Sequence, residues 1–116
     1  MFPYEQLEVY KKAYCINQKL HRLLKEDQTM PPYIKNQLGR AGLSTMLNIA
    51  EGSAKNTVKD RRNYFITARG SAFETASIIS FLQEEGEWTA DLKNEFYSSL
   101  DEISRILYVM IKNLHG

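Results

Sequence analysis

The stretch from Gln37 to Gly52, Gln-Leu-Gly-Arg-Ala-Gly-Leu-Ser-Thr-Met-Leu-Asn-Ile-Ala-Glu-Gly, constrains the fold more than any other part of the chain. Wound at about 100° per residue, its apolar side chains fall on two opposite faces instead of one. Ile34, Leu38, Ala41, Thr45 and Ile49 form one stripe, and Leu43, Leu47, Ala50 and Ala54 lie roughly opposite. A surface helix of a small monomer buries a single stripe, so a helix with two needs a second partner. The expected partner is another copy of the chain, with Leu43, Leu47 and Ala50 as the candidate oligomer interface. Gln37, Arg40, Ser44, Asn48 and Glu51 sit between the stripes, three or four residues apart, and are expected to be partly buried.

A chain of 116 residues, 43% hydrophobic and 25% charged, suits one globular domain with a core of its own. No run approaches the ~18 apolar residues of a membrane-spanning helix. The opening Met-Phe-Pro-Tyr-Glu lacks a basic region followed by an apolar block. The expectation is a cytoplasmic protein with no membrane partner. Cys15 is the one cysteine, which excludes an internal disulfide and reads as a packing residue. The net charge of +1 conceals a polarised distribution: residues 31–70 carry a net +5 and residues 71–116 a net −5. Such a split serves either complementary self-association or a basic face aimed at a polyanion, against the plainer reading of solvated helix surfaces.

Three short breaks divide the chain into four helical segments, expected over about 5–25, 32–54, 58–85 and 90–114. Val9, Ala13, Ile16, Leu20 and Leu23 make the first seam, with Leu7, Tyr10, Tyr14 and His21 as a second, aromatic-rich edge. Pro31 and Pro32 mark the start of the second helix, and Gly52 is expected to end it in a left-handed conformation. Thr57 with Asp60 resembles a capping box. Phe65, Ala68, Ala72, Ala76 and Ile79 form the third seam. The small run Ala68 to Ser77, Gly70 included, suggests close approach to the second helix. Ile66, Phe73 and Phe81 point elsewhere. Gly86 closes the third helix, and the fourth carries Leu92, Phe96, Ile103, Leu107, Met110 and Leu114 as one stripe. Short connections force antiparallel neighbours, so the expected fold is all-α, an antiparallel up-down-up-down four-helix bundle.

Catalytic and metal-binding patterns are nearly absent. His21 and His115 have no helical spacing to one another, and no His-Glu-x-x-His, Cys-x-x-Cys or phosphate-cradling glycine loop occurs. Neither an enzyme nor a cofactor is expected. A carboxylate beside an apolar stripe must be paired, so Arg40, Asn48 and Glu51 are read as a structural polar network, with Arg62 and Arg69 as further available cations. A ligand-binding or catalytic Glu51 with Asn48 is the sharper and weaker alternative. Lys55, Lys59, Arg61, Arg62 and Arg69 form the candidate nucleic-acid-binding cluster, since repetition in an oligomer would multiply a modest patch into a basic ring.

Gln37-Leu-Gly-Arg-Ala41, Ser44, Asn48-Ile-Ala-Glu-Gly52, Ala68-Arg-Gly-Ser71 and Glu74 together resemble the bacterial four-helix-bundle proteins named for the intervening sequences of 23S ribosomal RNA genes. Leu7-Glu-Val-Tyr-Lys-Lys-Ala13 looks like that family's first helix, with Tyr10 where Trp is common. The chain departs from the family pattern at Gly39, Met46 and Arg61, where a second Arg, a Pro and an aromatic are usual. The resemblance implies a homopentamer and association with RNA or DNA. Related proteins include the ring-shaped accessory subunit of diversity-generating retroelements, which implies as an alternative a protein-interaction scaffold or an accessory subunit for a nucleic-acid enzyme such as a reverse transcriptase.

Overall fold

Proline lacks the backbone N–H that continues a helix, and the chain opens with a 3-10 turn at Pro3–Gln6, before the first α-helix. The computed structural model describes residues 1–115. Among them are four α-helices and no strand: α1 (Glu8–Glu26), α2 (Pro32–Ala54), α3 (Val58–Glu84) and α4 (Ala90–Lys112). The first helix starts three residues later than its periodicity suggests, because Leu7 is extended behind the 3-10 turn.

Each start has a local cause. Asp27 Oδ1 accepts from the backbone N–H groups of Met30 (2.8 Å) and Thr29 (2.7 Å), which turns the chain into α2 at Pro32. Those two backbone donors hold the Asp27 carboxyl below its ordinary value. Thr57 Oγ1 accepts from Asp60 N at 3.1 Å and Thr89 Oγ1 from Leu92 N at 3.1 Å, satisfying N–H groups that α3 and α4 leave unpaired. Gly86, at φ +79°, stops α3 in the left-handed region where glycine carries no steric penalty.

Each helix contributes one stripe to a common core. Val9, Leu20, Leu38, Ile49, Phe65, Ile79, Phe96 and Leu107 are among its buried members. Trp88, in the α3–α4 turn, closes one end against Phe96 with ring centroids 5.2 Å apart. Helices adjacent in sequence pack together, α1 closes the square against α4, and the backbones of the diagonal pairs stay apart. The result is an up-down-up-down four-helix bundle, 47 × 25 × 22 Å. The α2–α3 seam is the most extensive and the α1–α4 seam the thinnest. Lys12–Glu102 (2.6 Å) and Lys19–Glu95 ion pairs cross the thin one.

Three readings of the sequence need correction. Gly52 is not a left-handed terminus: it lies inside α2, where a Cβ would stand 2.7 Å from the Phe65 ring, so its role is close packing. Gly70 faces outward, with nothing within 4 Å of the point a Cβ would occupy, so it does not belong to the close contact made by Ala68, Ser71, Ala72 and Thr75. Cys15 is exposed, one position before the buried Ile16, and packs against nothing central.

Candidate nucleic-acid and assembly surfaces

The basic cluster does not form one patch. Lys55 pairs with Glu51 at 3.5 Å and rests its amine 5.0 Å from the centre of the Tyr64 ring. Lys59 is exposed and unpaired among the described residues. Arg61 lies four positions before Phe65, in the register of the buried α3 seam, and its Nε is buried without a hydrogen-bond partner. Arg62 donates to the Leu114 carbonyl at 2.8 Å, which ties the start of α3 to the end of α4. The carbonyl-rich C-terminal end of a helix favours a cation there. Arg69 sits further along α3, where its Nε donates to the Ser104 carbonyl at 3.2 Å. Four of the five cations therefore gather at the bundle end formed by the α2–α3 turn and the last turn of α4, which adds Lys112. Arg69 belongs to a separate place between α3 and α4.

The polar network also assembles differently. Asn48 Nδ2 donates to the Ser44 carbonyl (2.8 Å) and to Ser44 Oγ (3.0 Å), and Ser44 Oγ meets Ser71 Oγ at 2.8 Å. Gln37 donates to Glu74, further along the same pair of helices. The Ser44–Ser71 and Gln37–Glu74 bonds cross the α2–α3 seam, while Asn48 braces Ser44 from within α2. Glu51 and Arg40 take no part in it within the chain: both are exposed, Glu51 is paired only with Lys55, and Arg40 has no side-chain partner among the described residues. The reason is angular, since three residues on from Asn48 the helix has turned Glu51 about 60° further towards solvent.

Leu43 and Leu47 are 49% and 53% exposed, and Ala50 is half-buried. On α3, Ile66, Phe73 and Phe81 are likewise exposed. Ile66, Gly70, Phe73 and Ser77 follow one another at helical spacing along the outside of that helix. Both central helices thus carry an apolar outer face besides the one in the core.

A cleft of about 610 Å³ runs between α3 and α4, lined in part by Arg69, Phe73, Tyr97, Asp101 and Arg105 over a floor of Ala72 and Ala76. Only Arg69 of these was singled out by the basic pattern of the sequence. The missed signal is the set Lys93, Tyr97, Ser104 and Tyr108, which repeats at helical spacing along α4. At the opposite edge, Phe2, Tyr4, Tyr10 and Tyr14 form an aromatic ladder with successive centroids 5.6, 4.6 and 6.0 Å apart. Burial there pushes the Tyr10 hydroxyl above its ordinary value.

Among the described residues, no helix is long and apolar enough to cross a membrane, and no group of three or more His, Cys, Asp or Glu is placed to hold a metal ion.

No curated protein matches the chain. Among solved structures, it is similar to the crystal structure of a Bacteroides thetaiotaomicron protein of unknown function from the S23 ribosomal protein family. The TM-score is 0.85 at 23% identity, over 90% of this chain and 99% of that one, which establishes a shared fold. The sequence profile of the 23S rRNA-intervening sequence proteins matches residues 5–109. With nearly the whole bundle inside that match, the chain belongs to the family of 23S rRNA-intervening sequence proteins.

Proposed function

We propose that the protein is a non-enzymatic, self-associating helical bundle, assembled as a homopentamer, that binds RNA or DNA through a basic surface repeated around the assembly. The observation that carries self-association is the outer stripe of α2, where Leu43 and Leu47 stay about half exposed on the side opposite a complete core. Leaving two leucines half in water forgoes roughly 1 kcal/mol each relative to full burial, and a second copy supplies that burial. In favour of a polyanionic partner is the convergence of Lys55, Lys59, Arg62 and Lys112 on one end of the bundle. Phosphate binding through such a set weakens steeply with salt.

Light-scattering mass combined with a salt series of binding to labelled RNA and DNA tests this reading. A mass several times that of one chain, and affinity that falls with salt and with Lys55→Glu or Lys59→Glu, are expected. A monomer at micromolar concentration, or no binding to any strand at ~50 mM salt, overturns the corresponding half.

A second reading, a scaffold or accessory subunit for a nucleic-acid enzyme such as a reverse transcriptase, draws on the other end. The α1–α2 and α3–α4 turns bring Glu26, Asp27, Glu84, Glu85, Glu87 and Asp91 to the end away from the basic cluster. An acidic end complements a basic protein surface. Co-purification of one protein after nuclease treatment, abolished by charge reversal at Glu84 and Glu85, favours it over direct nucleic-acid binding.

A further inference from the structure

The α3–α4 cleft combines two kinds of chemistry that are seldom left in water together. Phe73, Tyr97 and Tyr108 are between 44% and 54% exposed. Each has a cation over its ring: Arg69 lies 4.7 Å from the Phe73 centroid and 5.3 Å from that of Tyr108, and Lys93 lies 4.6 Å from that of Tyr97. The bond from Arg69 Nε to the Ser104 carbonyl fixes the guanidinium plane. Its terminal amino groups have no hydrogen-bond partner among the described residues and are available to an anion. The one acidic residue lining the cleft, Asp101, is held by Arg105 at 3.0 Å. Arg69 and Arg105 line the cleft against that one carboxylate, Lys93 stands over Tyr97 at its α4 edge, and Ala72 and Ala76 keep its floor free of bulk.

Exposed aromatic faces with interleaved cations match unpaired bases joined by phosphates. A duplex fits worse, because its base faces are already stacked on one another. The apolar helix of a second copy also fits worse, because it would have to desolvate the cations on the rim. From Lys93 to Tyr108 the helix rises ~22 Å, room for about six stacked nucleotides of one strand.

We propose that this cleft binds a single-stranded segment of nucleic acid, with bases stacked on Phe73 and Tyr97 and phosphates held by Arg69, Lys93 and Arg105. The proposal rests on the nucleic-acid reading above and adds to it the strand form and the place. The basic bundle end then supplies sequence-independent attraction, and the cleft distinguishes open strands from paired ones.

The test uses fluorescence anisotropy of a labelled ~12-nucleotide single strand and of the same strand in duplex at ~50 mM salt, with Phe73→Leu and Tyr97→Leu measured beside the parent. Leucine keeps apolar bulk at these exposed positions and removes the ring face, so folding and any apolar contact between copies are preserved. Each variant is expected to lose about tenfold in single-strand affinity, with duplex binding and light-scattering mass unchanged. Arg69→Lys keeps the charge and loses the planar fork, and is expected to weaken the single strand in the same way. Variants that bind the single strand like the parent, or that lose single-strand and duplex binding equally, overturn the cleft proposal while leaving nucleic-acid binding in place. A parent that binds neither probe overturns both. A Tyr97→Glu variant that lowers the mass in solution without changing strand affinity assigns the cleft to contact between copies and overturns it too.

Discussion

At the scale of the single residue, the tightest constraint lies at two glycines of α2. A Cβ on Gly52 would stand 2.7 Å from the Phe65 ring, and one on Gly42 would stand 2.6 Å from Asn17 Oδ1. Phe65 is fully buried and has nowhere to move. Gly52→Ala is therefore expected to destabilise the fold by about 1–3 kcal/mol, read as a lower urea midpoint; an unchanged midpoint would mean that the α2–α3 seam gives way easily. Arg61 presents the reverse case. It sits in the core register with a buried, unpartnered Nε, so Arg61→Phe exchanges an unmet hydrogen-bonding group for apolar packing. A gain of about 1 kcal/mol in thermal unfolding is expected, and a loss would show that Arg61 is held by contacts other than its Nε. Asp27 sets a pH dependence. Its folded-state value is depressed by the Met30 and Thr29 backbone N–H groups, so its contribution is present above the ordinary carboxylate value of about 3.9. That contribution is lost as the pH falls through the lower folded value. Asp27→Asn should flatten that part of the acid-unfolding curve measured by circular dichroism.

At the scale of the element, α3 shows what an outer face costs a helix. Gly70 is exposed, with nothing within 4 Å of the position a Cβ would take, and a mid-helix glycine is worth about 1 kcal/mol less than alanine. In a dissociated chain Gly70→Ala is thus expected to raise the unfolding midpoint. In an assembly that brings another backbone against Gly70, the same change is expected to lower the dissociation temperature, and light scattering during heating separates the two effects. Much of this organisation was legible beforehand. The boundaries at Pro32, Thr57, Gly86 and Thr89 rest on proline, glycine and hydroxyl chemistry that acts over three or four residues. The destinations of the long side chains were not legible. Arg62 and Arg69 reach carbonyls 52 and 35 residues away in sequence, and Glu51 turns to Lys55 instead of to an arginine. No local pattern encodes which helix lies alongside.

At the scale of the whole molecule, the antiparallel path converts a charge split along the chain into a split between two ends. The α2–α3 turn carries the basic cluster, and the α1–α2 and α3–α4 turns carry the carboxylates at the far end of a 47 Å body. Assembly is the property expected to hang on the outer face of α2. Leu47→Glu should leave the helical content by circular dichroism intact and reduce the mass by light scattering to that of a single chain. Retention of the full mass would place the contact between copies elsewhere, on α3 or α4.

Periodicity, proline and glycine placement and end-capping hydroxyls determined from the sequence alone that this is a four-helix, antiparallel, all-α bundle with a two-faced second helix, because each of those signals acts within one or two turns. Only the tertiary structure decided that Gly52 makes room for Phe65, that the five basic residues divide between a bundle end and the α3–α4 cleft, and that Tyr97 shares that cleft with Phe73 while Tyr108 stands beside Arg69 and Lys93 over Tyr97. Those relations depend on the rotation of each packed helix about its own axis, which interdigitation of the cores settles and no single segment contains.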